Sequence, residues 1–495
     1  MAPALALMSA FTAGAAPPAP EFFHPAGIAA GTTNTVKVTG KFDPWPPRVW
    51  VDAPGLIFQA QTNAGEWRVS AAADAAPGVR LVRFHNAEGV SEPRPFVVGA
   101  GPELAEREPN DTLEQAQAIE RLPVTINGRL DKAGDVDAFA VDLRAGQTLE
   151  AAVDSIVLMS KLDAILRLVT TNGLPLAWNQ DYATQDPRLT WAATNDQRVV
   201  VQVFGFPYPA NSDVRFTGGE GAIYRLQLRL LPPTVRPTNT VDTTAAPPPL
   251  VAPPFHSAGS IRAPGQRHRV RVRLAEAGWL AAGVRAESVG SPLDAWLELE
   301  DAKGKQISRN DDHDGSRDPY LDWRAEAERE YTLVVGSVTR QAGEDQRFEF
   351  DLRRVSPDFR ALATADAVTA KPGTTNEFKV KFARWRGFTN EVRLVARDLP
   401  PGVECAAATA PAKDGEVTLS LVALTNAAPF QGPWRLVSQS GGAERAVPYL
   451  LTGSTQNNGV PGGYRVLLAD HLDVLWLTVP TNAPPAAKAP EKSGK

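Results

Sequence analysis

Two stretches of this chain follow one template. Residues 162–191 carry Leu162-Asp163-Ala164, Leu166, Leu168, Gly173, Asn179, Asp181, Asp186-Pro187, Leu189 and Trp191. Residues 293–323 carry Leu293-Asp294-Ala295, Leu297, Leu299, Gly304, Asn310, Asp312, Asp318-Pro319, Leu321 and Trp323. The offset is 131 residues through Asp181 and 132 beyond it, the mark of one residue inserted in a turn. Upstream, Gly128, Gly134, Val141 and Leu143 fall on Gly259, Gly265, Val272 and Leu274 at the same 131 spacing. A repeat on this scale is a whole domain of about 100 residues, so the chain is a string of modules. Its 495 residues leave room for further modules on either side of the pair.

Within the modules the apolar pattern has period two. Val36 and Val38, Val49 and Val51, and Val199, Val201 and Val203 alternate with their neighbours, and Asn172-Gly173 is a hairpin turn. Glycine and proline, 39 and 43 in number, lie between apolar runs and not in low-complexity tracts, which predicts many turns. The fold class expected is all-β: tandem β-sandwich modules, immunoglobulin-like and jelly-roll-like, joined by short linkers. One helix is expected, Thr112 to Ile119, started by Asp111 as cap with Glu114 in its first turn.

A net charge of -5 gives no electrostatic case for nucleic acid or an anionic membrane. Cys405 is the only cysteine, which excludes an intrachain disulfide and Cys₄ or Cys₂His₂ zinc sites and makes it a small apolar side chain. At the start, Ala4 to Phe11 is a short apolar run followed by Ala13-Gly14-Ala15, a small-residue site suited to cleavage before Ala16. Residues 1–15 are therefore expected to be a signal peptide, although no Lys or Arg precedes the run. No other apolar run approaches the ~20 residues that span a bilayer. The location expected is secreted, periplasmic or cell-surface.

His24-Pro25-Ala26-Gly27, Ala76-Pro77-Gly78-Val79 and Pro93-Arg94-Pro95-Phe96-Val97-Val98 make residues 20–100 resemble the immunoglobulin-like IPT/TIG domains of secreted bacterial proteins. Glu108-Pro109-Asn110-Asp111-Thr112, Gly128-Arg129-Leu130, Gly134-Asp135-Val136-Asp137-Ala138-Phe139 and a later Leu-Asp-x-x-Leu hairpin look like the bacterial pre-peptidase C-terminal domain. That resemblance covers 103–231 well and 255–355 in part. It implies a jelly-roll-like sandwich similar to the collagen-binding domains of clostridial collagenases, a module found beside a catalytic domain. A proline-rich linker, 232–254, separates the two copies. Another immunoglobulin-like sandwich is expected over 356–480, where Leu399-Pro400-Pro401-Gly402-Val403 reads as a turn, and a disordered tail over 481–495.

The same resemblance points to calcium at Glu108, Asn110, Asp111, Asp135 and Asp137. Clustered carboxylates with one amide suit an ion that takes six to eight oxygens. The alternative reading is that Asn110 or Asp111 caps the helix while Asp135 and Asp137 form a solvated turn with Gly134. In the second copy the counterparts are Gln266, His268, Asn239 and Val241, so that copy should lack the site. Asn179-Gln180-Asp181 and Asn310 to Gly315 read as Asx-rich turns, and Asp163 and Asp294 as ties between a strand end and backbone N–H groups.

Arg267, Arg269, Arg271 and Arg273 place a basic face on one strand, either a solvated face or a grip for an acidic polysaccharide. Trp45, Trp50 and Trp67 invite sugar stacking, whereas the recurrence of Trp191 and Trp323 argues for core packing. No catalytic motif is found: His-Glu-x-x-His, Gly-x-Ser-x-Gly and a phosphate-binding glycine loop are all missing, and the six histidines are scattered. The expected function is non-catalytic binding of an extracellular or cell-surface polymer, polysaccharide or protein. The alternatives are a spacer or assembly subunit of a cell-envelope complex and a divergent hydrolase.

Overall fold

A computed structural model of the chain describes residues 16–180, 182, 185–208, 214–231, 243–289, 291–313, 316–452 and 468–481. The expected signal peptide, residues 232–242 of the linker, the tail from 482, and Asp181, Asn239, Val241, Asp314 and Gly315 lie outside them. The described residues form tandem β-sandwiches, four pairs of sheets around four separate cores. No helix among them is long and apolar enough to cross a membrane.

In the first sandwich one sheet runs Ala19–His24, Thr33–Lys41, Glu66–Ala71, Leu56–Ala60 in spatial order, and the other Gly27–Ala29, Arg94–Gly99, Gly78–Asn86, Arg48–Val51. Period-two alternation drives it: Trp67, Val69 and Ala71 turn inward while Arg68 between them stays in water. Trp45 and Trp67 belong to its aromatic core, with ring centroids 4.9 Å apart.

The two central sandwiches share one topology. The second has the sheets Glu103–Ala105, Val124–Arg129, Ile223–Leu231, Thr148–Asp154, Arg188–Ala192 and Gln117–Ile119, Asp137–Leu143, Gln197–Pro207, Leu162–Thr170, Pro175–Asn179. The third has Phe255–Ser260, Arg347–Val355, Gly278–Arg285, Tyr320–Ala325 and Leu250–Val251, His268–Arg273, Glu330–Ser337, Ala295–Asp301, Gln306–Asn310. Strand for strand the order is identical, except that Glu103–Ala105 has no counterpart among the described residues of the third. Residues 243–251 of the proline-rich segment lie against the third sandwich, where Arg269 N–H donates to the Thr243 carbonyl and Arg271 N–H to that of Pro249.

The repeated residues now have physical roles. Asp186 accepts from the N–H groups of Ser155, Ile156 and Val157 and from the Ser155 hydroxyl, which holds the 3-10 turn Ile156–Leu158. Asp318 does the same for Ala286, Glu287 and Ser288 at the turn Glu287–Val289. Asn179 and Asn310 accept from Arg188 N–H and Tyr320 N–H, each tying the end of one strand to the start of the next. Trp323 is buried in its core and Trp191 packs against the other.

The expected helix over Thr112–Ile119 does not form. Thr112 to Gln115 makes one turn, closed by Gln115 N–H on the Thr112 carbonyl, and Gln117–Ile119 is a strand parallel to Phe139–Val141. Gln117 and Ile119 face inward and Ala118 outward, an alternation that buries Ile119 in the core; tertiary packing outweighs helix propensity over so short a stretch.

The fourth sandwich pairs Val403–Cys405, Gly415–Ala423, Thr374–Trp385, Asp358–Ala363, Tyr449–Thr452, Leu468–Leu472 with Ala367–Thr369, Leu475–Val479, Phe430–Ser440, Arg393–Arg397, Ala408–Thr409. The Pro400-Pro401-Gly402 turn is present, with Val403 N–H on the Pro400 carbonyl and Gly402 at φ +85°. Cys405 is half-buried against this core.

Candidate metal centre

All five sequence-predicted residues come together at one end of the second sandwich. The segment 106–111, which bends at Glu108 and Asp111, crosses the start of the strand Asp137–Leu143 and is pinned there by Ala138 N–H donating to the Asn110 carbonyl, at 3.0 Å. The turn 131–135 faces it. Gly134, at φ +87°, lets the chain reverse, and Asp135 Oδ2 accepts from Asp131 N–H at 2.6 Å.

Glu106, Glu108 and Asp137 form one triad and Glu108, Asp111 and Asp135 a second, the oxygens of each lying within 4.8 Å of one another, with Glu108 common to both. Asn110 and Asp137 are 0% exposed and Asp135 1%. The Asn110 amide group stands 3.1 Å from Asp137 Oδ1 and 3.2 Å from Glu108 Oε1. With its nitrogen on that side it donates to both carboxylates; with its oxygen there, three oxygens converge on one point.

Two observations bear on whether a cation fits. The buried oxygens Asp135 Oδ1 and Asp111 Oδ1 have no hydrogen-bond partner, and the nearest compensating charge is Lys132, whose Nζ lies 2.8 Å from Asp111 Oδ2 and 3.8 Å from Asp135 Oδ1. The second is a shortage of protons. Tyr224 Oη lies 2.5 Å from Asp137 Oδ2 and 3.0 Å from Glu106 Oε2, yet it has one hydrogen to donate. Burial, followed by repulsion from Asp137, pushes Glu106 up to about 10, and burial lifts Asp137 to about 7 against the hydrogen bonds it receives. Burial also raises Asp135 and Glu108, whereas the Lys132 ammonium holds Asp111 down. Either protons or a cation must neutralise this cluster, and an all-oxygen donor set rich in carboxylates would suit calcium over zinc.

Glu106 is absent from the sequence-predicted set. Its signal is the Glu-x-Glu spacing: Glu106 lies two residues before Glu108, and the carboxylate oxygens of both meet Asp137. The glycine of Gly128-Arg129-Leu130 also gains a reason, because a Cβ at Gly128 would strike Tyr224 Cζ and lie 2.5 Å from Glu106 Oε2.

The third sandwich keeps the turn and changes its chemistry. Arg262 N–H donates to Gln266 Oε1 at 2.6 Å, the counterpart of the bond from Asp131 to Asp135. His268 stands where Asp137 does and lies 2.6 Å from the Thr243 hydroxyl and 3.0 Å from the Ser260 carbonyl, while Phe348 replaces Tyr224 opposite Gly259. The arginine face has local partners: Arg267 stacks over Trp296, Arg271 meets Glu330 at 3.2 Å, and Arg273 meets Glu328 at 3.6 Å.

Neither a protein-family model nor a curated protein matches the chain. Among solved structures it is similar to the pre-peptidase C-terminal domain of a collagenase from Bacillus anthracis, at 13% identity over 24% of this chain and 100% of that one, with a TM-score of 0.18. It is also similar to the four N-terminal Ig domains of Dscam1 isoform 1.9, at 10% identity over 84% and 94% of the two chains and a TM-score of 0.21. Domains 1–6 of the surface layer protein SbsC give 11% identity over 96% and 55%, with a TM-score of 0.18.

Proposed function

We propose that the protein is a secreted, non-catalytic binding protein that engages an extracellular or cell-surface polymer, polysaccharide or protein, and that calcium holds its second sandwich in shape. The supporting observation is the oxygen cradle of Glu106, Glu108, Asn110, Asp111, Asp135 and Asp137, buried at Asn110, Asp135 and Asp137 and open to solvent at Glu108, with an unpartnered carboxylate oxygen inside it. Glu108, shared by both triads, would bridge two ions or orient one. Bound calcium supplies positive charge, and the residues around it keep the 106–111 segment on the sandwich. We further read the two central sandwiches as tandem pre-peptidase C-terminal-like copies, of which the second has exchanged its carboxylates for Gln266 and His268.

The hydrolase alternative would use Glu106 and Asp137 as its acid pair. Asp137 has no exposed surface and the Tyr224 hydroxyl occupies the space between it and Glu106, which favours a structural cation over a reacting water. The test uses the full chain. Calorimetric titration with calcium is expected to give saturable binding, abolished in Asp135→Asn and Asp137→Asn and retained in Gln266→Ala. Retained, cation-dependent adhesion to one member of a panel of polysaccharides, cell walls and fibrous proteins supports the binding role. Calcium binding without adhesion to any of them would overturn that role, and no calcium binding would overturn the metal centre.

A further inference from the structure

The first and last sandwiches meet, although the groups in contact stand 283 residues apart in the sequence. Arg83, 1% exposed, reaches out of the strand Gly78–Asn86 and pairs with Asp366 of the fourth sandwich, Nη2 to Oδ2, at 2.7 Å. The same guanidinium donates to the Ser91 carbonyl, so it is held from behind and aimed across the junction. Beside it Leu81 is buried against Leu451 and Leu472 of the fourth sandwich. On the far side of Arg83, His85 Nδ1 lies 2.9 Å from the Gln431 amide oxygen, and the Gln431 nitrogen donates to the Asn86 carbonyl at 2.5 Å. Trp476 stands 5.8 Å, centroid to centroid, from Trp50 of the first sandwich.

A guanidinium at the centre, aliphatic and tryptophan side chains around it and a complementary carboxylate opposite are the composition of a protein–protein recognition patch. Its two halves belong to compact sandwiches joined through the rest of the chain, including the proline-rich segment between the central pair. The intervening sandwiches hold the two faces together in one chain, with Leu158 and Ile223 of the second packed on Phe22 and Ala26 of the first and Met159 beside Leu81, so the contact is intramolecular at an effective concentration set by that scaffold, and intermolecular when a second chain competes at comparable concentration. Exchange of such an element between copies needs no new surface.

We propose that these two faces form a detachable head-to-tail clasp that closes in cis within one chain and in trans between two copies, the partner being a second copy of this protein. The clasp is independent of the calcium reading, since none of its residues touches the cradle. Each in-trans pair uses the face of one copy and the tail of the other, so two chains satisfy both clasps and close as a dimer.

Charge reversal separates the two modes. Arg83→Glu sets two carboxylates against each other and Asp366→Arg two guanidiniums. Each variant alone is expected to be an open monomer with a larger hydrodynamic radius than the wild type. R83E/D366R in one chain restores the closed radius. A one-to-one mixture of the single variants forms a heterodimer of twice the mass. In it the two reversed charges face each other at one clasp, while the unaltered Arg83 of one chain meets the unaltered Asp366 of the other at the second. Single variants that keep the closed radius would overturn the clasp, and a mixture that stays monomeric would overturn its in-trans form. A second arm needs no variant: wild-type chain refolded at high concentration yields dimer by light scattering, and refolded dilute yields monomer. Monomer at every refolding concentration refutes exchange between copies.

Discussion

Without a cation in the cradle, the second sandwich should be sensitive to alkali. With no metal, Asp137 must stay protonated in the fold, at about 7, against an ordinary carboxyl near 3.8. A raised folded-state value means that its contribution is fully present below the unfolded value and is lost as pH rises through the folded one. The window is therefore about pH 4 to 7. At 1.36 kcal/mol per decade, the rise corresponds to an order of 4 kcal/mol lost by pH 8. Glu106 is not added, because it shares its proton economy with Asp137 through Tyr224. For a module of this size the loss is roughly 10–15 °C in its thermal transition. Calorimetric scans of the full chain with chelator at pH 5, 6, 7 and 8 measure it, and excess calcium should restore the transition at pH 8. Asp137→Asn should flatten the chelated profile, which separates this effect from Asp186, lifted by burial to about 6 in the same direction. A chelated transition equally stable at pH 5 and pH 8, or one that calcium leaves unmoved at pH 8, refutes the reasoning.

Three other outcomes are expected. Asp186→Ala strips the carboxylate that accepts four hydrogen bonds and should cost about 2–4 kcal/mol in urea unfolding, with Asp318→Ala acting likewise on the third sandwich. Arg225→Ala leaves Glu103 buried without the guanidinium 2.7 Å away and should cost about 3–5 kcal/mol, whereas R225A/E103A costs less because no charge is stranded; a double variant at least as unstable as the single would contradict this. Gly128→Ala drives a methyl into both Tyr224 Cζ and the Tyr224 hydroxyl and should destabilise by about 1–3 kcal/mol, and Tyr224→Phe should not rescue it, since the clash with the ring carbon persists when the hydroxyl is gone.

The architecture is legible because its signals are local and repeated. Period-two alternation marks each strand, and the 131-residue offset aligns the central sandwiches before any coordinate is known. The repeat also displays Asp186-Pro187 and Asp318-Pro319, but not their role, since the N–H groups they hold lie about 30 residues upstream. Thr112–Ile119 misleads because a capping residue followed by helix formers looks the same whether one turn or two follow; only Phe139–Val141 alongside decides for a strand. Five cradle residues follow from the resemblance and from their clustered oxygens, whereas Glu106 shows itself only through its spacing from Glu108, which carries weight once the fold brings both to Asp137. Nothing in the sequence joins Arg83 to Asp366, because complementarity between distant surfaces leaves no period to read.

The bond from Asp131 to Asp135 and its counterpart from Arg262 to Gln266 have the same length and differ in what they ask of the medium. If calcium fills the cradle, a carboxylate turn with an unpartnered second oxygen answers to the surrounding ion concentration, whereas an amide turn backed by His268 and Thr243 does not. Two adjacent modules of one topology therefore have separate failure conditions. Where divalent ions are scarce, the second sandwich would then loosen before the third.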